Sequence, residues 1–243
     1  MFSLKKFTVS VDKKTILHNI SITFRAGKVY AIMGPNGSGK STLARTVMGD
    51  PIFTLDKNAT ITRGIGKNAI HIEHLSADKR AHAGIFLSHQ SPLALPGVTV
   101  RDLMRVACKN TNHTALTIKE NLERYAKALD IPDELLNRSL NDGFSGGERK
   151  KMEVLQMALL DPDYIFLDEI DTGVDVDAIK TIARFLKKYI TGTKKTLIII
   201  THATRILRYL TPDQTIVIQN GRITHKGDAT LAKTIERSGF SSL

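Results

Sequence analysis

The octet "GPNGSGKS", Gly34 to Ser41, constrains the fold of this 243-residue chain more than any other feature. It fits the spacing G-x-x-x-x-G-K-[ST]. The residues before it, "KVYAIM" at 28–33, read as a buried strand, and those after it keep helical periodicity through Met48. Strand, glycine loop and helix in that order open a nucleotide-binding α/β core. The glycines let successive backbone N–H groups converge on phosphate oxygens, and the helix N-terminus adds its positive end. Gly34, Pro35, Asn36, Gly37, Ser38 and Gly39 are thus expected to wrap phosphates. Lys40 is expected to reach the β- and γ-phosphates of ATP, with Ser41 ligating Mg²⁺ and Thr42 beside it.

A second segment completes such a site. "YIFLDE" at 164–169 is a near-continuous apolar run, as in a parallel strand covered on both faces. It delivers Asp168 to a strand C-terminus, where α/β sites lie. Asp168 would hold Mg²⁺, and Glu169 would position or deprotonate the attacking water. Alone, such a pair also reads as a helix cap. His202 follows a second buried strand, "TLIIIT", and is placed to sense a γ-phosphate. Gln90 ends the short strand of "AGIFLSHQSP" and could touch the metal or the water. Each of these two, taken singly, is an ordinary loop residue.

"FSGGERKK" at 144–151 has two readings. Ser145 and Glu148 form a capping box. That leaves Gly146 and Gly147 unexplained, because glycine costs about 1 kcal/mol relative to alanine inside a helix. Glycines at a helix start permit close approach to an anion, so the chain carries two phosphate-binding helix starts where one nucleotide needs one. Lys150 and Lys151 follow, and either could pair with an acidic site residue in a resting monomer.

Around these motifs the chain is organised in blocks. "FTVSV" and "ILHNISITF" alternate as antiparallel strands, and "ATITRG" and "AIHIEH" add edge β-structure. Residues 92–161 read as helical, with Thr99 capping a helix through Asp102. The expected division is a catalytic core with its β subdomain at 1–91 and 162–243, and a helical subdomain at 92–161. A helix is expected near 176–189. Asn220-Gly221 marks a type I′ hairpin, and a final helix is expected at 230–237.

Composition narrows the partners. No apolar run approaches the ~20 residues that span a bilayer, and the start "MFSLKKFTVSVDKK" has no signal-peptide h-region. A soluble, cytoplasmic protein without membrane insertion is expected. The one cysteine, Cys108, makes no internal disulfide and cannot by itself hold an iron–sulfur cluster. The net charge of +11 is spread over short lysine pairs without interleaved aromatics. That pattern favours a solvated basic surface over nucleic-acid binding, with an acidic partner protein as a third reading.

A phosphate loop, a Gln-bearing loop, a helical insert, "SGG", an apolar strand ending in Asp-Glu and a downstream His, in this order, resemble ABC-type ATPases. The resemblance implies two subunits packed head to tail around ATP. Ser145, Gly146 and Gly147 of one chain would face the γ-phosphate held by the other, and Asp175 would lie in the loop crossing that interface. "FSGGE", "DEIDTGVD" and "IMGPNGSGKSTLARTVMGDP" are similar, more finely, to the SufC-type ATPases of iron–sulfur cluster assembly. That likeness implies SufB- and SufD-like scaffold partners, a transient ATP-dependent homodimer, no direct cluster ligation, and docking through the Gln90 loop and helical insert. His89 stands before Gln90, where the family commonly has an aromatic. For the adenine-stacking ring usual in the family near residues 7–13, this chain offers only Phe7. The motifs also allow the ATP-binding subunit of an ABC membrane transporter. A nucleic-acid-binding ABC switch is the third reading, but such proteins usually carry two ATPase units.

Overall fold

The computed structural model describes residues 1–66, 69–88, 90, 92–108 and 114–240. Strands β1 (Phe2–Val11) and β2 (Lys14–Phe24) form an antiparallel pair. Then come β3 (Val29–Met33), α1 (Lys40–Met48), β4 (Thr54–Leu55), β5 (Thr60–Arg63) and β6 (Ile70–His71). The first sheet runs β2-β1-β5-β6, with β4 also on β1. Helix α2 (Ala77–His82) leads into β7 (Ile85–Ser88). Next are β8 (Leu95–Thr99), α3 (Val100–Ala107), α4 (Ala115–Ala128), α5 (Asp133–Leu136), β9 (Ser139–Leu140) and α6 (Gly146–Leu160). The chain returns through β10 (Tyr164–Asp168), α7 (Val176–Ile190), β11 (Thr196–Thr201), β12 (Gln214–Gln219), β13 (Arg222–Gly227) and α8 (Ala229–Ser238).

The second sheet has the order β13-β12-β3-β11-β10-β7, parallel except for β13. Its central strands are apolar on both faces because both faces are covered. In β10, Ile165 and Leu167 join one core with α6 and α7, while Tyr164 and Phe166 join the other with β1, β2 and α1. Phe24 meets Phe166 edge-on at 6.0 Å, tying the two sheets together. Because β3, β7, β10 and β11 run parallel, their C-terminal ends lie along one sheet edge. The phosphate loop, Gln90, Glu169 and His202 all follow those ends.

Local chemistry sets several element ends. Thr99 Oγ1 accepts from the Asp102 amide at 3.1 Å, the cap read from sequence. Asn220 and Gly221 have φ of 47° and 71°, the positive values that a type I′ hairpin needs between β12 and β13. Two features depart from expectation. The stretch read as helical also contains the two-stranded β8–β9 pairing, Leu95 opposite Leu140 and Thr99 opposite Ser139. Helix α2 was not legible either. Its buried Arg80 donates to the Thr46, Val47, Glu73 and Leu75 carbonyls at 2.8–2.9 Å, closing the C-terminal end of α1. Among the described residues, no helix is long and apolar enough to cross a membrane.

Candidate functional site

Strand β3 ends at Met33 and the phosphate loop begins at once. A Cβ on Gly34 would lie 2.1 Å from the Ile218 carbonyl oxygen, so β12 leaves room only for glycine. The hairpin tip braces the loop from the same side: the Gly221 amide donates to the Ser38 carbonyl at 3.1 Å. Pro35, Asn36 and Gly37 are exposed, whereas Ser38, Gly39 and Lys40 are buried. Lys40 Nζ donates to the Gly34 and Pro35 carbonyls at 2.8 and 2.9 Å. Burial pushes its pKa down, against the pull of Glu169 and Asp168. Ser38 Oγ is buried with no partner among the described residues. An orphaned hydroxyl inside a glycine-rich loop at a helix start suits an anion that brings acceptor oxygens.

Ser41, in the first turn of α1, donates from Oγ to Asp168 Oδ1 at 3.1 Å. The Asp168 amide donates to Ser88 Oγ on β7 at 2.9 Å, fixing where β10 ends. Burial raises the Asp168 pKa, while the Ser41 bond and Lys40 oppose the shift. A hydroxyl and a carboxylate at this separation are hard oxygen donors of the kind that hold Mg²⁺, so the residues fit that ion.

Glu169 is the next residue, and its backbone is unusual. Its φ is 49°, in the left-handed region that non-glycine residues rarely adopt. Its amide stays bonded to the Ile200 carbonyl at 2.9 Å, so the turn is anchored. The side chain is held at both oxygens: Gln90 Nε2 lies 2.6 Å from Oε2, and His202 Nδ1 lies 3.1 Å from Oε1. The two loop residues that were weak signals singly therefore converge on one carboxylate. A cavity of about 560 Å³ lies over these groups, lined by residues 36–42, Gln90, Glu169, His202, Thr172 and Ile16. That volume is in the range of small-molecule sites.

No sequence motif points to Thr172 or Ile16, because β2 and the turn after β10 reach the cavity only through tertiary packing. Phe7, the one ring available at 7–13, is wholly buried in the core between the sheets and presents no ring to a ligand; the half-buried apolar residue lining the cavity is Ile16. His89 lies outside the described residues.

The helix start at Gly146 shows both halves of the capping box, with the Glu148 amide on Ser145 Oγ at 3.2 Å and the Ser145 amide on Glu148 Oε2 at 2.7 Å. These bonds hold the Glu148 carboxyl below the usual carboxylate range. The two glycines have a further, intrachain reason. A Cβ on Gly146 would lie 2.6 Å from the Gly173 carbonyl oxygen, and one on Gly147 would lie 3.1 Å from Asp175 Oδ2. Asp175 caps α7 by accepting from the Ala178 amide at 2.8 Å. Ser145, Gly146, Gly173, Asp175 and Val176 are all exposed. Ser145, Gly146 and Gly147 do not line the cavity over the phosphate loop. Lys150 is buried and pairs with Glu153 at 3.3 Å, and Lys151 Nζ donates to the Asp130 carbonyl.

The profile of the ABC transporter family matches residues 17–172. A probable ATP-dependent transporter SufC of Escherichia coli (strain K12) is 39% identical over 250 residues, covering 100% of this chain and 98% of that protein. A probable ATP-dependent transporter ycf16 of Pyropia yezoensis is 38% identical, covering 99% and 96%. A probable ABC transporter ATP-binding protein of Streptococcus pyogenes serotype M3 is 37% identical, covering 100% and 94%. Among solved structures, a nucleotide-free ATP-binding cassette from an ABC transporter superposes with a TM-score of 0.78 at 22% identity, covering 99% of this chain and 96% of that one. A dimeric ATP-binding cassette bound to ADP and Pi also gives 0.78, at 20% identity, covering 94% and 99%.

Proposed function

The chain belongs to the ABC transporter family, as an ATP-hydrolysing subunit similar over its full length to SufC, and on that premise we propose that it drives conformational change in a SufB/SufD-like iron–sulfur assembly scaffold. The observation that carries the catalytic part is the anchored Glu169, left-handed at its backbone and held by Gln90 and His202 next to the Ser41–Asp168 pair. Lys40 leaves its two loop carbonyls for the β- and γ-phosphates, and the amides of residues 36–42 close round them. Ser41, Asp168 and Gln90 hold Mg²⁺, which when bound spreads the charge of the phosphates. Glu169 orients the attacking water and takes its proton, while His202 keeps that carboxylate in place and faces the γ-phosphate.

The other half of the site comes from a second copy. Ser145, Gly146 and Gly147 present helix-start amides to the γ-phosphate of the partner chain, and the exposed turn carrying Asp175 crosses between the two. Dimerisation is transient and follows ATP. Residues 92–161 act as a helical subdomain on a core of 1–91 and 162–243. The scaffold docks through the Gln90 loop and that helical insert. The protein works in the cytoplasm, without ligating a cluster itself and without nucleic acid.

The full-length likeness to SufC and ycf16 proteins favours this reading. The streptococcal relatives, named for a transporter, favour a second: an ATP-binding subunit of a membrane transporter. The test is tagged co-purification from soluble and detergent-solubilised fractions, with the bound proteins identified. Soluble SufB/SufD-like proteins are expected, retained by purified protein as well; recovery of a membrane permease alone would overturn the scaffold assignment.

A further inference from the structure

Glu169 and its imidazole partner sit on separate segments, and a row of bonds joins the two. One segment is the turn after β10, which carries Glu169. The other is the end of β11, which carries His202. At one end of the row the Glu169 amide donates to the Ile200 carbonyl at 2.9 Å; at the other, His202 Nδ1 lies 3.1 Å from Glu169 Oε1. Between them Thr201 Oγ1 donates to the Asp171 carboxylate, 3.1 Å from Oδ1 and 3.4 Å from Oδ2. Asp171 is 2% exposed and Thr201 is wholly buried. Neither residue lines the cavity over the phosphate loop, so a nucleotide bound there does not reach them.

A buried carboxylate is costly unless its oxygens are satisfied. Burial raises the Asp171 pKa, while the Thr201 hydroxyl and the Asp171 and Ile206 amides oppose the shift. The hydroxyl has a single proton for the carboxylate and for the Ala203 carbonyl at 2.9 Å, and it accepts in turn from the Ala203 amide at 3.0 Å. Asp171 thus gathers Thr201, Ala203 and Ile206, residues on both sides of His202, onto the Glu169 turn. That turn needs holding, because a left-handed backbone such as that of Glu169 persists only where its surroundings over-determine it. We propose that Asp171 is a positioning residue for hydrolysis: its carboxylate clamps the His202 strand end to the Glu169 turn, so that carboxylate and imidazole meet the γ-phosphate as one unit. A cap on the short helical turn Ile206–Arg208 would need only the Ile206 amide and would leave the Thr201 bond unexplained.

This inference rests on the ATP-hydrolysing reading, and amide hydrogen exchange on the nucleotide-free protein separates the two. Thr201→Val removes the hydroxyl at nearly constant volume, Thr201→Ser keeps it, and Asp171→Ala removes the carboxylate. Melting curves check that each variant folds, and either Thr201→Val or Asp171→Ala alone suffices for the test. Exchange at the Glu169 amide and across 201–206 is expected to rise about tenfold in both of these variants, with β12 unchanged. With ATP and Mg²⁺, kcat should fall about 10–100-fold while KM stays within about threefold, because a misplaced base slows the chemistry without loosening the grip on the phosphates. Thr201→Ser should keep both readouts near the wild-type values. Exchange that rises at Ile206 alone would make Asp171 a helix cap and overturn the clamp. So would wild-type turnover in Thr201→Val, or a KM that rises in parallel with the fall in kcat. A wild type that neither binds nor hydrolyses ATP would sink the ATPase reading, while the exchange result would still decide whether the two segments are clamped.

Discussion

Replacing Gly146 by alanine separates two explanations of the paired glycines. Helix propensity alone predicts stabilisation, by up to about 1 kcal/mol and less in a first turn. The packing predicts the reverse. The new methyl would lie 2.6 Å from the Gly173 carbonyl oxygen, and real Cβ contacts essentially never fall below 3.0 Å. The turn after β10 must therefore move by at least the difference, 0.4 Å. Overpacking of this kind costs about 1–3 kcal/mol. Set against the propensity gain, the net loss is about 1 kcal/mol, or about 2–4 °C in Tm for a chain of this size. Gly147→Ala should cost less, because its Cβ would meet Asp175 Oδ2 at 3.1 Å and Ala178 Cβ at 3.2 Å, contacts that yield with small shifts. The shifted turn runs from Glu169 to Asp175, so ATPase activity should fall in Gly146→Ala by more than the stability loss alone implies. Thermal melts and steady-state turnover read both effects. A Gly146→Ala protein that melts at or above the wild-type temperature with full turnover would refute the packing argument.

Two further outcomes follow from the same geometry. Glu169→Gln should bind ATP and form a nucleotide-dependent dimer on a sizing column while losing about 10²–10⁴ in turnover, the usual weight of a general base; near wild-type turnover would remove Glu169 from that role. The capping box should be pH-sensitive. Because Glu148 has a folded pKa below its ordinary value, its contribution is present above about pH 4.5 and is lost as pH falls through the lowered value. The Tm difference between wild type and Glu148→Gln should thus shrink on acidification. A difference that stays constant from neutral pH down to pH 3 would contradict the assignment.

The parts of this protein that are local in sequence were legible in it. The phosphate loop, the apolar strand ending in Asp168 and Glu169, the Thr99 cap and the Ser145–Glu148 box each depend on residues a few positions apart. What was illegible depends on distant pairs. Ser139 and Leu140 make too short a strand to show a period, and only their pairing with β8 defines them. Helix α2 is held by Arg80 reaching carbonyls more than thirty residues away. Sequence does not say which face of β1 Phe7 takes; an irregularity at Lys6, with φ of 50°, puts Leu4 and Phe7, three residues apart, in the same core. Gly146 and Gly147 were assigned to an anion, and the contact with the 173–175 turn adds an intrachain reason that no spacing rule reveals. Gln90 and His202 were individually weak, yet β7 and β11 flank β10, so both meet Glu169.

The central claim is that one ATP is hydrolysed between two chains, with the phosphate loop from one and the Ser145 helix start from the other. Mixing two inactive variants tests it directly. Lys40→Ala lacks the phosphate contact, and Ser145→Arg blocks the helix start. In a head-to-tail mixed dimer, one site combines both intact halves and the other combines both damaged ones. Equal mixing makes about half the dimers mixed, each with one working site, so turnover should return to about a quarter of the wild-type value. If each chain used its own helix start, the mixture would stay as inactive as its components, and the shared-site account would be wrong.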